Sequence, residues 1–499
     1  MLKAAAIFQS GAVLQRRKPI RVWGEGDNGK TVTVSLGNAS ADALVTENKW
    51  SLAFPAQEAC ESLTMTITDG ADTITLTDMA IGDVYLAGGQ SNMELKLYCD
   101  AERETEYAKA PDPLLRHYVV PKVGYLDPGE ALPPTLWEGA CADTLPNFSA
   151  VAYYFAEKLR REMPEVPIGI LECYWGGSSA CAWTEESYFT DDISIYMDEY
   201  KELASQMDVE EAKKEWNDFQ KRMESMITPE LKERETQPIT KLQAFEVTSE
   251  RLLEMRRSHC TPVNPFRPAG LYHTMLSSLI PYTIEGFLWY QGEDDVDRPQ
   301  LYDTLLSQMI RCWRDAWTEE LPFFIVQLPS LYANFASWGK DFVPIRAQQD
   351  KVVHRVPNCY LICTMDAGAE FDVHPKWKRK VGERLALQAL RHVYGRDIES
   401  ESPEVKSAAK ENGRLTLTFL HCGSGLLIPQ PVGSELELIV NDEACAFEQV
   451  TSSGSTLTIH SSALREDSLV TVRYQQQGFC ASSLYSSAML PVRPFTVTL

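Results

Sequence analysis

The strongest chemical signals in this 499-residue sequence sit in short turns that follow apolar runs. Asp83-Val-Tyr-Leu-Ala-Gly-Gly-Gln-Ser-Asn-Met places Ser91 just after two glycines at the end of such a run. Glycine lets the backbone turn sharply, and open α/β sheets bind ligands at the carboxyl ends of their parallel strands. Ser91 can thus be a nucleophile exposed on a tight turn, or simply a serine that caps the following helix. The flanks read Gly-Gln-Ser-Asn, so the Gly-x-Ser-x-Gly elbow of α/β-hydrolases is not matched. A serine nucleophile needs a base. His374 stands out in Glu370-Phe-Asp-Val-His-Pro-Lys, a polar loop after Cys359-Tyr-Leu-Ile-Cys. Asp372, two residues earlier, can orient the imidazole and stabilise its charged form, although a structural histidine is the alternative. A metal site is the weaker reading, since Asp-x-His lacks a second pair of ligands nearby. Two further turns, Tyr174-Trp-Gly-Gly-Ser-Ser and Trp289-Tyr-Gln-Gly-Glu-Asp-Asp, also follow apolar strands. A parallel sheet would bring the Gly177 N–H and the Gln291 amide to the edge that carries Ser91. There each can serve a developing oxyanion, a donor worth about 2.7–4 kcal/mol in comparable sites.

The elements that must hold these turns are short apolar strands alternating with amphipathic helices, from residue 81 to about 400. Such alternation predicts a mostly parallel sheet covered on both faces. Ser149 is the N-cap of a helix with Val151, Tyr154, Phe155 and Leu159 on one face. A second helix follows Pro375, with Trp377, Val381, Leu385 and Ala389 at helical spacing and Gly395 as its stop. From about 185 to 260 the chain is rich in Glu, Lys and Arg. There Val209, Ala212, Trp216, Phe219, Met223 and Met226 alternate spacings of three and four, a short a/d seam. This stretch reads as a helical insertion, either a hairpin packed on the domain edge or a lid or dimer contact. Residues 1–80 and 401–499 alternate apolar with polar between turn residues, as in Thr31-Val-Thr-Val-Ser-Leu and Arg414-Leu-Thr-Leu-Thr-Phe-Leu. They predict two flanking β-sandwich regions, or one built jointly.

At roughly 150 residues per domain the length suggests about three domains. The 47 Lys and Arg against 70 Asp and Glu leave a net charge of −23, which repels phosphate backbones and anionic lipid. Nucleic acid and membrane are therefore not expected partners. No segment approaches the ~20 apolar residues of a membrane span, and the apolar stretch near Met1 is shorter than a secretory signal requires. The twelve cysteines form no dense framework, and Cys359 and Cys363 are spaced one residue too wide for a CxxC motif. A soluble, cytoplasmic chain with free thiols is expected.

Taken in order, Gly89-Gln-Ser-Asn-Met, Trp175-Gly-Gly-Ser, Trp289-Tyr-Gln-Gly-Glu and Asp372-Val-His-Pro resemble the ordered blocks of SGNH hydrolases, specifically the sialate O-acetylesterase-like branch of carbohydrate esterases. Ala12-Val-Leu-Gln-Arg, Gly270-Leu-Tyr-His-Thr-Met, Gly382-Glu-Arg-Leu-Ala-Leu and Leu490-Pro-Val-Arg-Pro-Phe extend the resemblance over nearly the whole chain outside the helical insertion. It implies an SGNH-hydrolase-like, flavodoxin-like three-layer α/β/α domain and a serine esterase that removes O-acetyl groups from sugars without metal or organic cofactor. It makes Ser91 the nucleophile, His374 the base and Asp372 its orienter, with an oxyanion hole of Ser91, Gly177 and Gln291. Asn92, Trp175, Trp183, Tyr290 and Glu293 become candidates for substrate binding, and Tyr174 joins the aromatics that either stack on sugar rings or fill the core.

Three departures bear on detail. Asp294 and Asp295 follow Glu293 where the family usually has Ser-Asn, and Ala180-Cys-Ala-Trp-Thr lacks an acidic residue common there. The gap between acid and histidine is two residues where many relatives have three, so Asp366 or Glu293 can share the orienting role. The expected partner is a small-molecule or oligosaccharide acetyl ester, with acetylated sialic acid and acetylated hemicellulose both open. Sialic acid would call for a cation such as Arg267 or Arg298. Formation of a homo-oligomer stays open, as do two rival functions: a non-catalytic glycan-binding protein and an esterase for longer acyl chains.

Overall fold

The strand Thr73–Gly89 spans the point where the sequence changes texture. Its residues alternate in exposure up to Thr77 and are buried without interruption from Met79 onward. A strand with one face in water alternates, whereas a strand covered on both faces is apolar throughout. Pairing changes with it: the first part lies antiparallel to Cys60–Thr68, and the last part lies parallel to Ile168–Tyr174 and Gly286–Tyr290. The chain crosses residue 80 without a break. The computed structural model describes residues 1–127, 129–226, 236–237, 261–332 and 341–499.

Among these, the chain forms two compact units. One draws on Met1–Gln237, 261–291 and Thr304–Phe323, the other on Gly292–Asp303 and Phe324–Leu499. In the first, the sheet runs in the order Trp137–Ala140, Asp112–Val119, Ile168–Tyr174, Thr73–Gly89, Gly286–Tyr290. Its centre is parallel, but Trp137–Ala140 is antiparallel. The antiparallel ladder of Ala39–Leu44, Thr31–Leu36 and Cys60–Thr68 joins it through Thr73–Gly89. The sheet is thus mixed, not mostly parallel as expected, because one strand serves both the parallel core and the N-terminal β region. A further antiparallel sheet of Lys3–Ala4, Ile20–Glu25 and Lys49–Phe54 completes that region.

Helix Ala150–Glu162 begins as its sequence predicts: the Ser149 Oγ accepts the Ala152 N–H at 3.2 Å. Val151, Tyr154, Phe155 and Leu159 are all fully buried. Within the insertion, Ser194–Ala204 and Val209–Met226 are helices. Ala212 is buried, but Val209, the first position of the anticipated seam, is exposed. The Phe219, Met223 and Met226 side chains, and most of the insertion after residue 226, lie outside the described residues.

In the second unit, Phe323–Val326 neighbours Cys359–Ile362, and helices Val343–Arg355 and Arg379–His392 follow the two strands. Val381, Leu385 and Ala389 face inward as the spacing predicts, but the helix begins only at Arg379. Trp377 therefore precedes it, in the loop, and is 48% exposed. After residue 401 come two four-stranded antiparallel sheets. Leu415, Leu417, Leu457 and Ile459 of one share a core with Leu436, Leu438, Val470 and Val472 of the other. The two sheets thus share one core, as the layers of a sandwich do. The eleven described cysteines are free thiols. Among the described residues no helix is long and apolar enough to cross a membrane.

Candidate active site

Three strands of the first unit end level with one another. Tyr174 and Tyr290 both pair with Gly89, one from each side. The turns that follow, beginning at Trp175, Gln90 and Gln291, therefore leave the sheet at one edge. Gly89 is at φ +138°, and a Cβ there would lie 2.2 Å from the Tyr290 carbonyl oxygen, so only glycine fits. The Gln90 N–H donates to that oxygen at 3.1 Å, and the Trp175 N–H donates to the Gly89 carbonyl at 3.1 Å. Ser91 is half-buried and opens the short helix Ser91–Glu94.

The Trp175–Ser178 turn is pressed against that helix. A Cβ on Gly176 would come within 3.2 Å of the Ser91 Cβ. The Gly176 N–H donates to Glu94 Oε2 at 2.8 Å, and the other Glu94 oxygen accepts from Lys122, whose ammonium lies 5.4 Å from the centre of the Trp175 ring. Ser178 is held from three directions: its Oγ donates to the Trp175 carbonyl at 2.7 Å and accepts the Trp183 indole N–H at 2.9 Å, and its carbonyl accepts from Gln291 Nε2 at 3.1 Å. Gly177 adopts φ +77°. The first unit thus brings Ser91, Gly177 and Gln291 together. Glu94 was not singled out from the sequence; a carboxylate three residues after the candidate nucleophile was the available signal.

Behind the turn lies a buried ionic cluster. Glu172, fully buried on Ile168–Tyr174, accepts from Lys96 Nζ at 3.2 Å, from the Ser149 N–H at 3.1 Å and from the Tyr174 hydroxyl, and faces His117 Nδ1 at 2.8 Å. Burial alone would raise its pKa, yet Lys96 and His117 outweigh burial and hold the carboxyl down to about 2. Ser149 Oγ in turn donates to the Met93 carbonyl at 2.6 Å. The cluster thereby anchors the segment that carries Ser91.

Asp372 and His374 belong to the second unit. The His374 backbone N–H donates to Asp372 Oδ1 at 2.9 Å, and Lys376 Nζ lies 3.7 Å from Oδ2. Burial, then the Lys376 and Lys378 ammonium groups, push the His374 imidazole down to about 3, so it is neutral at ordinary pH. Asp366 has both oxygens engaged by the Arg384 guanidinium, at 2.6 and 2.8 Å, and by Lys380 at 3.0 Å. That bidentate pairing makes it a helix anchor and a poor candidate for orienting His374. Glu293 is 3% exposed.

Of the candidate sugar-stacking rings, Trp175 alone keeps appreciable exposure. It is half-buried, with Phe266 edge-on at 6.0 Å. Trp183, Tyr290 and Tyr174 are 0%, 1% and 2% exposed, so they are core residues and not sugar platforms. Trp183 packs edge-on against Trp289. Asn92 is likewise fully enclosed and offers no surface to a ligand. Arg267 directs Nη1 at the Gly124 and Asn264 carbonyls, at 2.8 and 2.7 Å. Among the described residues no group of three or more His, Cys, Asp or Glu is placed to hold a metal ion.

A carbohydrate acetylesterase from Xanthomonas citri is similar in structure over 99% of both chains, with a TM-score of 0.77 and 26% identity. The fold is accordingly the SGNH-like α/β fold of carbohydrate esterases. The family described as "Carbohydrate esterase, sialic acid-specific acetylesterase" matches residues 264–391. Sialate O-acetylesterase of Mus musculus is 25% identical over 450 residues, covering 80% of this chain and 75% of the mouse protein. The Homo sapiens protein is 24% identical over 463 residues, covering 83% and 76%. Over most of its length the chain is thus similar to sialate O-acetylesterases and to a bacterial carbohydrate acetylesterase.

Proposed function

We propose that this protein hydrolyses O-acetyl esters on carbohydrates by two-step acyl transfer. His374 takes the Ser91 proton as Ser91 Oγ attacks the acetyl carbonyl, with Asp372 orienting the imidazole. The tetrahedral oxyanion accepts from the Ser91 N–H, the Gly177 N–H and Gln291 Nε2. Its collapse breaks the ester C–O bond, and the sugar oxygen leaves with the proton held by His374. Water then gives a proton to His374 and attacks acetyl-Ser91; acetate departs and Ser91 regains its proton. The observation that carries this reading is the level ending of three strands at Tyr174, Gly89 and Tyr290, which sets the Gly176–Gly177 peptide beside Ser91. Since the Gly176 N–H is already given to Glu94, Gly177 is the donor of that pair assigned to the oxyanion.

The engagement of Arg267 with backbone carbonyls and the net charge of −23 favour a neutral acetylated sugar over a carboxylated one. The test is acetate release from 4-nitrophenyl acetate, acetylated sialic acid and acetylated plant oligosaccharides. Loss of turnover in Ser91→Ala supports the assignment, and full activity in that variant sinks it. Carbohydrate binding by wild-type protein with no acetate release would favour the non-catalytic reading.

A further inference from the structure

Three loops of the second unit are tied together around a set of exposed rings. The Tyr332 N–H donates to the Glu370 carbonyl at 3.0 Å, and the Leu331 N–H donates to the Gly478 carbonyl at 2.8 Å. Gly368 approaches so closely that a Cβ there would lie 2.2 Å from the Ser330 carbonyl oxygen. These ties hold the Tyr332 and Phe371 rings edge-to-face at 6.0 Å and 65°. Tyr332 is 40% exposed, Phe479, next to Gly478, is 38% exposed, and Phe371 is half-buried. Phe371 immediately precedes Asp372, and exposed Trp377 lies three residues after His374. Large aromatics normally bury most of their surface. Here loops fixed by backbone hydrogen bonds present several of them to solvent in the segment that carries the proposed base.

We propose that Tyr332, Phe371 and Trp377 form a stacking subsite for pyranose rings, which takes the sugar units next to the acetylated one in an oligosaccharide. The inference rests on the esterase reading above. Pyranose rings expose C–H faces that pack on aromatic faces while their hydroxyls stay hydrated, so these residues select for chain length without taking part in the chemistry. The subsite commits the enzyme to oligomeric, neutral acetylated glycans over a single acetylated sugar.

The experiment compares wild type with Tyr332→Ala and Trp377→Ala on 4-nitrophenyl acetate and on acetylated xylotriose. The expected result is a KM for the trisaccharide raised roughly tenfold, with kcat/KM on 4-nitrophenyl acetate within twofold of wild type. Unchanged trisaccharide kinetics in both variants, or an equal fall on both substrates, overturns the subsite. A second measurement separates this idea from the esterase reading: deacetylated xylotriose titrated into Ser91→Ala, followed by tryptophan fluorescence. Saturable binding that Trp377→Ala or Tyr332→Ala weakens supports the subsite even if acetate release fails. Absence of saturable binding overturns it even if 4-nitrophenyl acetate is hydrolysed.

Discussion

Gly176→Ala is the sharpest perturbation of the proposed site. Gly176 needs no unusual backbone conformation, so alanine is not excluded by φ; what opposes it is contact. The new Cβ would lie 3.2 Å from the Ser91 Cβ, 3.5 Å from its Cα and 3.4 Å from Glu94 Oε2. Carbon atoms settle at about 3.5 Å or beyond, so the nucleophile and the turn must separate by a few tenths of an ångström, roughly 0.3–0.5 Å. A misplacement of about 1 Å can cost on the order of 10²-fold in rate. Scaled linearly in free energy, the shift costs ~0.8–1.4 kcal/mol, a fall of about four- to tenfold in kcat. Stability should change by less than about 1 kcal/mol, because the turn is half-buried and no hydrogen bond is removed. The assay is kcat on 4-nitrophenyl acetate beside urea unfolding of the same preparation. A kcat within twofold of wild type, with normal folding, would refute the placement of this turn against Ser91. Gly177→Ala is the contrast: φ +77° strains any L residue, so stability and activity should fall together.

Other consequences are open to measurement. Glu94→Ala should lower kcat about three- to tenfold with little change in KM, while Glu94→Gln, which keeps an oxygen for the Gly176 N–H, should recover most of the loss; equal defects in both would argue against a positioning role. With His374 pushed down to about 3, the acid limb of kcat/KM should lie below pH 5, and a limb at the ordinary imidazole value near 6.5 would contradict its surroundings. The same shift means the fold binds fewer protons than the unfolded chain between about pH 3 and 6.5, so the contribution of His374 to stability is full above 6.5 and lost as pH falls toward 3. Glu285 behaves oppositely: burial raises its carboxyl to about 7 against the pull of Lys18, so its contribution is full below pH 4.5 and lost as pH rises through 7. Glu285→Gln should therefore flatten the decline in Tm between pH 5 and 8, and an unchanged slope would count against that environment.

The turns were legible in the sequence because their chemistry demands particular residues in particular places. Gly89 is dictated by a carbonyl 2.2 Å from where its Cβ would be, and Ser149 caps its helix through a hydroxyl that alanine lacks. Pairing direction was less legible. The change from alternating to continuous burial in Thr73–Gly89 reads locally as two zones, and only partner strands reveal a single strand that serves both. Aromatic roles were not legible at all: Trp175 and Trp183 lie eight positions apart beside the same turn, yet the first is half-buried and the second is sealed in the core. Trp377 sits in register with Val381 and Leu385, but registry cannot say that the helix starts two residues later. Glu94 was missed although its place three residues after Ser91 was a signal, and Glu172 because a carboxylate that neutralises a buried ammonium has no spacing rule of its own.

The strand Thr73–Gly89 also limits how this protein can be cut or recombined. A carbohydrate-binding appendage attached by a linker can be removed and the catalyst kept; here the outer β region and the turn before Ser91 are two ends of one backbone segment. Trimming at residue 80 would leave Ile81–Gly89 without its antiparallel continuation and expose a raw strand end ten residues before Ser91. Changes in sugar preference are better sought in the loops after the strands, where replacement leaves that shared segment whole.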